Sequence, residues 1–250
     1  MSASPRDHEV AARIATEAGH RLVELREKMV LDGTTWWELQ DQGDSQAHHW
    51  IMDQLATDMP DDAVLSEEGA DDRSRLDYER CWIIDPLDGT REFSEPPRTD
   101  WAVHVALVEN GEPIAGSVAL PALDMTLSSD PAPELPPPSN EPARIIVSRS
   151  RPPVAAQMLA RELSGQLLPM GSAGAKAMAV VLGHADIYAH SGGQYEWDNC
   201  APAVVAQAAG LHVSRIDGSP MVYNNPDPWL PDLLICRKEW AQDCLAIING

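Results

Sequence analysis

The sequence predicts a layered α/β fold, and three observations carry that expectation. Residues 6–29 show helical periodicity, two β-rich runs flank Asn110-Gly111, and β-like and helical segments alternate beyond a proline-rich stretch.

The elements follow in order. Val10, Ile14, Ala18, Leu22, Leu25 and Met29 recur at three- and four-residue spacing with Arg and Glu between them, which predicts a core-packing amphipathic helix. The polar stretch "DGTTWWELQDQGDSQ" reads as an interruption before a second helical pattern through Trp50, Ile51 and Leu55, which ends at Pro60. "AVLSEEG" and "CWIIDPLDG" read as buried strands that end in acid, and "WAVHVALVENGEPIAGSVALPAL" reads as a hairpin turning on Asn110-Gly111. Six prolines from Pro131 to Pro142 exclude helix and central strand. They suggest an N-terminal half (1–130), a connection (131–143) and a C-terminal half (144–250). In the last, "RIIVSRS", a helix near 153–163, "GSAGAKAMAVVLG", "ADIYAH", "WDNCAPAVVAQAAG", "LHVSRID", "LLICRKE" and a terminal helix alternate.

With 18 basic against 39 acidic residues, the net charge of −21 argues against polymeric nucleic acid or an anionic membrane as partner. An acidic protein acting on an anion needs cations at its site, which favours a bound metal. Cys81, Cys200, Cys236 and Cys244 form no C-x-x-C pair and read as reduced core thiols. No stretch resembles a signal peptide or a membrane span, so a soluble, cytoplasmic protein is expected.

Glu67 and Glu68 end one apolar strand, Asp85 and Asp88 end another, and Asp198 opens a helix. Carboxylates from three element ends can converge in a layered fold, and oxygen-only ligands suit hard ions such as Mg²⁺. Pro86 fixes the backbone so that Asp85, Asp88 and the Leu87 carbonyl can share one side. Gly89-Thr90 begins "GTREF", a helix start whose N–H groups can receive phosphate. Taken singly, Asp-Pro-x-Asp-Gly is a common turn, Asp198 is an N-cap and the acidic run after Ser66 is a solvated loop. Their joint presence favours a site.

Together "WIIDPLDGTREF", the upstream "LSEEG" and the downstream "EWDNCAPAVVAQAAG" resemble the inositol monophosphatase superfamily of Mg²⁺-dependent, lithium-sensitive phosphatases. The resemblance implies an αβαβα sandwich of the sugar-phosphatase type, α+β in its first half and α/β in its second. It implies two or three Mg²⁺ per site, held by Glu67, Asp85, the Leu87 carbonyl, Asp88 and Asp198, with Asp85 bridging. It also places phosphate on Gly89 and Thr90, beside Arg91, and sets Thr90 with an upstream aspartate to orient the attacking water. Family spacing puts that aspartate at Asp44. The usual Val-Thr pair is replaced by Gln40-Asp41, which keeps Asp41 open as a rival. His48 and His49 read as surface helix residues.

Within the family, "VSRSRPP", "GSAGAK" and "LPDLLICR" are most similar to the members that cleave adenosine 3′,5′-bisphosphate. Ser148, Arg149, Ser172 and Lys176, with Arg151 as a further cation, would then bind a second phosphate. The expected reaction is removal of the 3′-phosphate by metal-activated water to give AMP, with the 5′-phosphosulfate analogue PAPS as a second substrate. A broad inositol or sugar monophosphatase, including one cleaving fructose 1,6-bisphosphate, is the alternative, and a catalytically silent metal or nucleotide sensor is a third reading. The expected partners are a small bisphosphate nucleotide and, as an open option, a second copy of the chain in a homodimer.

Overall fold

The computed structural model of the chain describes residues 3–71, 73–138 and 142–250. Helix α1 (Pro5–Leu31) starts where the Ser4 hydroxyl accepts the Asp7 N–H while the Asp7 carboxylate accepts the Ser4 N–H at 2.7 Å. Helix α2 (Trp36–Asp58) begins earlier than its polar sequence suggests. The Glu38 carboxylate accepts both the N–H and the hydroxyl of Thr35, a helix start that the segment's weak apolar periodicity conceals.

Five strands form the first sheet in the order β1 (Ala63–Ser66), β2 (Arg80–Asp88), β3 (Ala102–Glu109), β4 (Glu112–Leu120) and β5 (Met125–Ser128). Only β1 and β2 run parallel; the β3–β4 hairpin turns on Asn110 and Gly111, both at positive φ, as the sequence predicts. Between β2 and β3 lies the short helix α3 (Thr90–Phe93).

Beyond the proline-rich connection, of which 139–141 lie outside the described residues, come β6 (Arg144–Ser148), α4 (Val154–Glu162), β7 (Gln166–Met170) and α5 (Ala173–Val181). They are followed by β8 (Ile187–Tyr195), α6 (Glu196–Ala208), β9 (His212–Ser214), β10 (Trp229–Cys236) and α7 (Lys238–Asn249). The second sheet is ordered β7-β6-β8-β10-β9. Strand β7, "QLLPM", is too short and proline-bearing to announce itself, yet it pairs in parallel with β6.

Alternation along the strands sorts the core into layers. Trp82 and Ile84 of β2, with Val103, Val105 and Leu107 of β3, pack under α1 and α2. Cys81 and Ile83 face the other way, onto α5 and α6, which also cover one face of the second sheet. Helices α4 and α7 close its far side over Ile145, Ile187 and Leu234. The result is the expected αβαβα sandwich. Trp82 is fully buried and its Nε1–H donates to Asp62 at 2.9 Å; Trp82→Ala should cost about 3–5 kcal/mol. All four cysteines are buried and free.

Candidate active site

The site grows from an irregularity in β2. Residues 85 and 88 are an odd number apart, so a regular strand would aim them at opposite faces. The β2–β3 register instead shifts: Asp85 pairs with His104 and Asp88 with Ala102, three steps against two. This bulge, at Pro86 and Leu87, turns both carboxylates to one side. Pro86 donates nothing to the ladder, and the Leu87 N–H is satisfied by Asp85 Oδ1 at 3.0 Å.

Asp198, in the first turn of α6, completes the group: Asp85, Asp88 and Asp198 each place an oxygen within 4.8 Å of the others. Asp198 also caps its own helix, its Oδ2 accepting the Tyr195 N–H at 2.6 Å. The N-cap expected at Asp198 is instead Tyr195; Asp198 is the third residue of the helix, and its bond back to the cap is compatible with the ligand reading. Glu67 stands at the accessible mouth beside Asp85.

The electrostatics divide the cluster. Burial, with Glu67, Asp88 and Asp198 close by, pushes Asp85 well above the usual carboxylate range. Burial and Asp198 push Glu67 up to about 7, and burial and Asp88 push Asp198 up to about 6. Asp88 is the exception. Burial would raise it, but His104, Lys176 and Ser172 outweigh burial and hold it at about 2. Its oxygens accept the Ser172 hydroxyl at 2.5 Å, the Ala173 N–H at 3.0 Å and the Gly174 N–H at 2.6 Å, so Asp88 docks the start of α5 onto the first sheet. A Cβ at position 174 would come within 2.0 Å of His104 Nε2, so this approach requires glycine.

His104 escaped the sequence reading; a lone histidine in the apolar run "WAVHVALV" was its only signal. Its ring is fully buried, with Nδ1 2.9 Å from the Trp197 carbonyl oxygen and Nε2 3.2 Å from Asp88 Oδ2. Nε2 is not aligned for a hydrogen bond, so its contact with Asp88 is Coulombic.

A second pair lies beside the cluster. Thr90 Oγ1 lies 3.2 Å from Asp44 Oδ1 and 3.1 Å from the Leu87 carbonyl oxygen, so its single proton is shared between the two acceptors. Asp41 is exposed, whereas Asp44 is half-buried and pushed up to about 7 by burial and by Glu68. Close packing sets this contact: a Cβ on Gly43 would meet Phe93 at 2.7 Å and Leu87 at 2.8 Å.

The predicted second-phosphate residues are arranged differently from the expectation. Lys176 is buried, and its Nζ donates to the Gly171 carbonyl at 3.3 Å and the Ser172 carbonyl at 2.5 Å. Ser172 donates to Asp88 and accepts the Ala175 N–H. Both turn inward. Arg149 is partly exposed but paired with Glu92 at 2.6 Å and Glu95 at 3.2 Å, and exposed Arg91 also pairs with Glu95. Ser148 ends β6 half-buried, directly before Arg149.

Among the described residues no helix is long and apolar enough to cross a membrane. The sequence profile of the inositol monophosphatase family matches residues 6–132 and 137–247. The chain belongs to the inositol monophosphatase family. Within it, the chain is 48% identical over 240 residues to the 3′-phosphoadenosine 5′-phosphate phosphatase of Mycobacterium bovis, covering 93% of this chain and 89% of that protein. It is 30% identical over 237 residues to the 3′(2′),5′-bisphosphate nucleotidase CysQ of Escherichia coli K12, covering 87% and 94%. Among solved structures, CysQ from Bacteroides thetaiotaomicron, described as a bacterial member of the same family, superposes with a TM-score of 0.75 at 24% identity, over 92% of this chain and 97% of that one. That last likeness concerns the fold.

Proposed function

We propose that the protein is a Mg²⁺-dependent phosphatase that removes the 3′-phosphate of adenosine 3′,5′-bisphosphate to give AMP, with the 5′-phosphosulfate analogue as a second substrate. The observation that carries the chemistry is the convergence of Asp85, Asp88 and Asp198 beside the Asp44–Thr90 pair. Near-full-length similarity to a phosphatase named for this nucleotide supports the substrate.

Converging carboxylates that raise one another's pKa, with no arginine paired to them among the described residues, fit a hard divalent cation. Asp85, Asp88, Asp198, Glu67 and the Leu87 carbonyl would hold it. Bound there, Mg²⁺ supplies charge neutralisation to the phosphate and lowers the pKa of water.

The chain's own groups do the positioning. First-turn N–H groups at Gly89 and Thr90 receive phosphate oxygens. Thr90, held by Leu87, and Asp44, with a pKa near neutrality, orient the attacking water and accept its proton. Lys176 and Ser172 hold α5 against Asp88, while Arg149 and Arg91 are the cations within reach of a second phosphate.

Phosphate release with Mg²⁺ from adenosine 3′,5′-bisphosphate, inositol 1-phosphate and fructose 1,6-bisphosphate tests the reading. A clear preference for the nucleotide is expected, with inhibition by millimolar lithium. Equal rates on inositol 1-phosphate would remove the nucleotide preference, and no turnover of any substrate would remove the enzyme.

A further inference from the structure

Glu67 and Asp198 come to the site from separate segments, one directly after β1 and the other in the first turn of α6. They repel: after burial, Asp198 is the largest influence raising Glu67. The two segments are nevertheless tied together, by a buried set of hydrogen bonds set back from both carboxylates.

On the Glu67 side, the chain passes Asp71 and enters a short 3₁₀ turn at Ser74–Asp77, where Arg75 is buried. Arg75 Nε and Nη2 donate to Asp71 Oδ1 and Oδ2 at 3.0 and 2.9 Å, a fork that fixes the guanidinium plane. Two further N–H groups cross to a distant stretch of chain. Nη1 donates to Asn224 Oδ1 at 2.6 Å, and Nη2 donates to the Asn225 carbonyl at 2.8 Å. On the Asp198 side, Glu196 opens α6 and is wholly buried. Its Oε2 accepts the Asn224 N–H at 2.7 Å, while Oε1 accepts the Asn225 N–H at 2.8 Å and Nδ2 at 2.7 Å. Asn224 and Asn225 thus offer oxygens to Arg75 and N–H groups to Glu196, and form the joint between the two sides. We infer that Arg75 and Glu196 are positioning residues of the metal site, clasping the Glu67 segment to the first turn of α6 through Asn224 and Asn225 and so setting the spacing of Glu67 and Asp198. The inference rests on the metal reading above.

The measurement is the Mg²⁺ dissociation constant, from calorimetric titration of metal-free protein, for wild type and three variants. Glu196→Gln cannot offer an acceptor to both asparagines. Asn224→Gly removes the acceptor for Arg75 Nη1 while suiting the positive φ of that position. Arg80→Ala breaks the pairing with Asp7 and Asp62 at the other end of β2, and serves as the control for lost stability alone. Urea unfolding of the metal-free proteins reports that stability. Wild type should bind saturably. Glu196→Gln should bind about tenfold or more weaker and Asn224→Gly about threefold or more weaker, with Arg80→Ala within about twofold of wild type. If wild type binds Mg²⁺ and either clasp variant, folded, stays within about twofold of it, the inference is overturned and the metal site stands. The same holds if Arg80→Ala weakens binding as much as the clasp variants do. Should Glu196→Gln not fold, Asn224→Gly decides alone. If wild type does not bind Mg²⁺, the metal reading and the clasp fall together.

Discussion

Two groups of buried carboxylates in this protein are treated in opposite ways. At the start of α1, Asp7 shares one arginine with Asp62: Arg80 reaches Asp7 at 2.6 Å and Asp62 at 2.9 Å. Burial would raise Asp7, but Arg80 and Ser4 outweigh it and hold its carboxyl below the usual range. Where β2 ends against the first turn of α6, no arginine among the described residues pairs with Asp85 or Asp198, and burial with mutual repulsion pushes both up, outweighing His104 and Lys176 beside Asp198. The same residue type is buried in both places. Where the chain supplies its own cation, the acids build structure. Where its own cations do not outweigh burial and repulsion, a cation from solution is called for.

Breaking the second group should have the largest effect. Asp85→Asn keeps an acceptor for the Leu87 N–H yet removes a central carboxylate of the proposed metal site. Steady-state assays should show turnover reduced on the order of a thousandfold. The metal-free variant should melt higher than wild type, because repulsion is relieved; a lower melting temperature would contradict the electrostatic argument. Asp88 is a poorer probe, since its bonds to Ser172, Ala173 and Gly174 make it structural as well as acidic.

Breaking the first group should cost stability and spare the chemistry. Arg80→Ala strands Asp7 and Asp62 and should lower unfolding free energy by about 3 kcal/mol, measured in urea. The third contrast separates neighbours on α2. Asp44→Asn should lower kcat about a hundredfold, whereas Asp41→Asn should leave it within about twofold. Equal losses would detach Asp44 from the Thr90 pair.

The smallest effect concerns pH. Asp44 and Glu67, at about 7, and Asp198, at about 6, all lie above ordinary carboxylate values. The metal-free fold therefore holds protons that the unfolded chain has released between about pH 4 and 7, and the associated stability is lost as pH rises through that window. Melting temperatures of metal-free protein should fall by a few degrees from pH 5 to 8, and Mg²⁺ should restore them at pH 8. A flat profile would mean that these acids are already compensated.

Much of this was legible in the sequence, for identifiable reasons. Strand alternation, the Asn110-Gly111 turn and the amphipathic α1 are local patterns, and each formed as expected. The convergence of Asp85, Asp88 and Asp198 could be foreseen as a need, but the bulge that aims Asp85 and Asp88 together appears only in the register against β3. The early start of α2 depends on a Thr35–Glu38 cap inside a stretch too polar to show periodicity. Residues that act from beneath were the least legible. Nothing in "GSAGAK" says that Lys176 turns inward to hold two carbonyls, and His104 looks like a strand residue until Asp88 is beside it.

The most direct test is calorimetric titration of metal-free protein with Mg²⁺ near pH 6.5, repeated in two buffers of different ionisation enthalpy. Saturable binding with net proton release is expected, because ligand carboxylates must lose protons to take the ion. Asp85→Asn should abolish both signals. Binding without proton release, or binding unchanged in Asp85→Asn, would contradict the claim that these buried acids form the metal site.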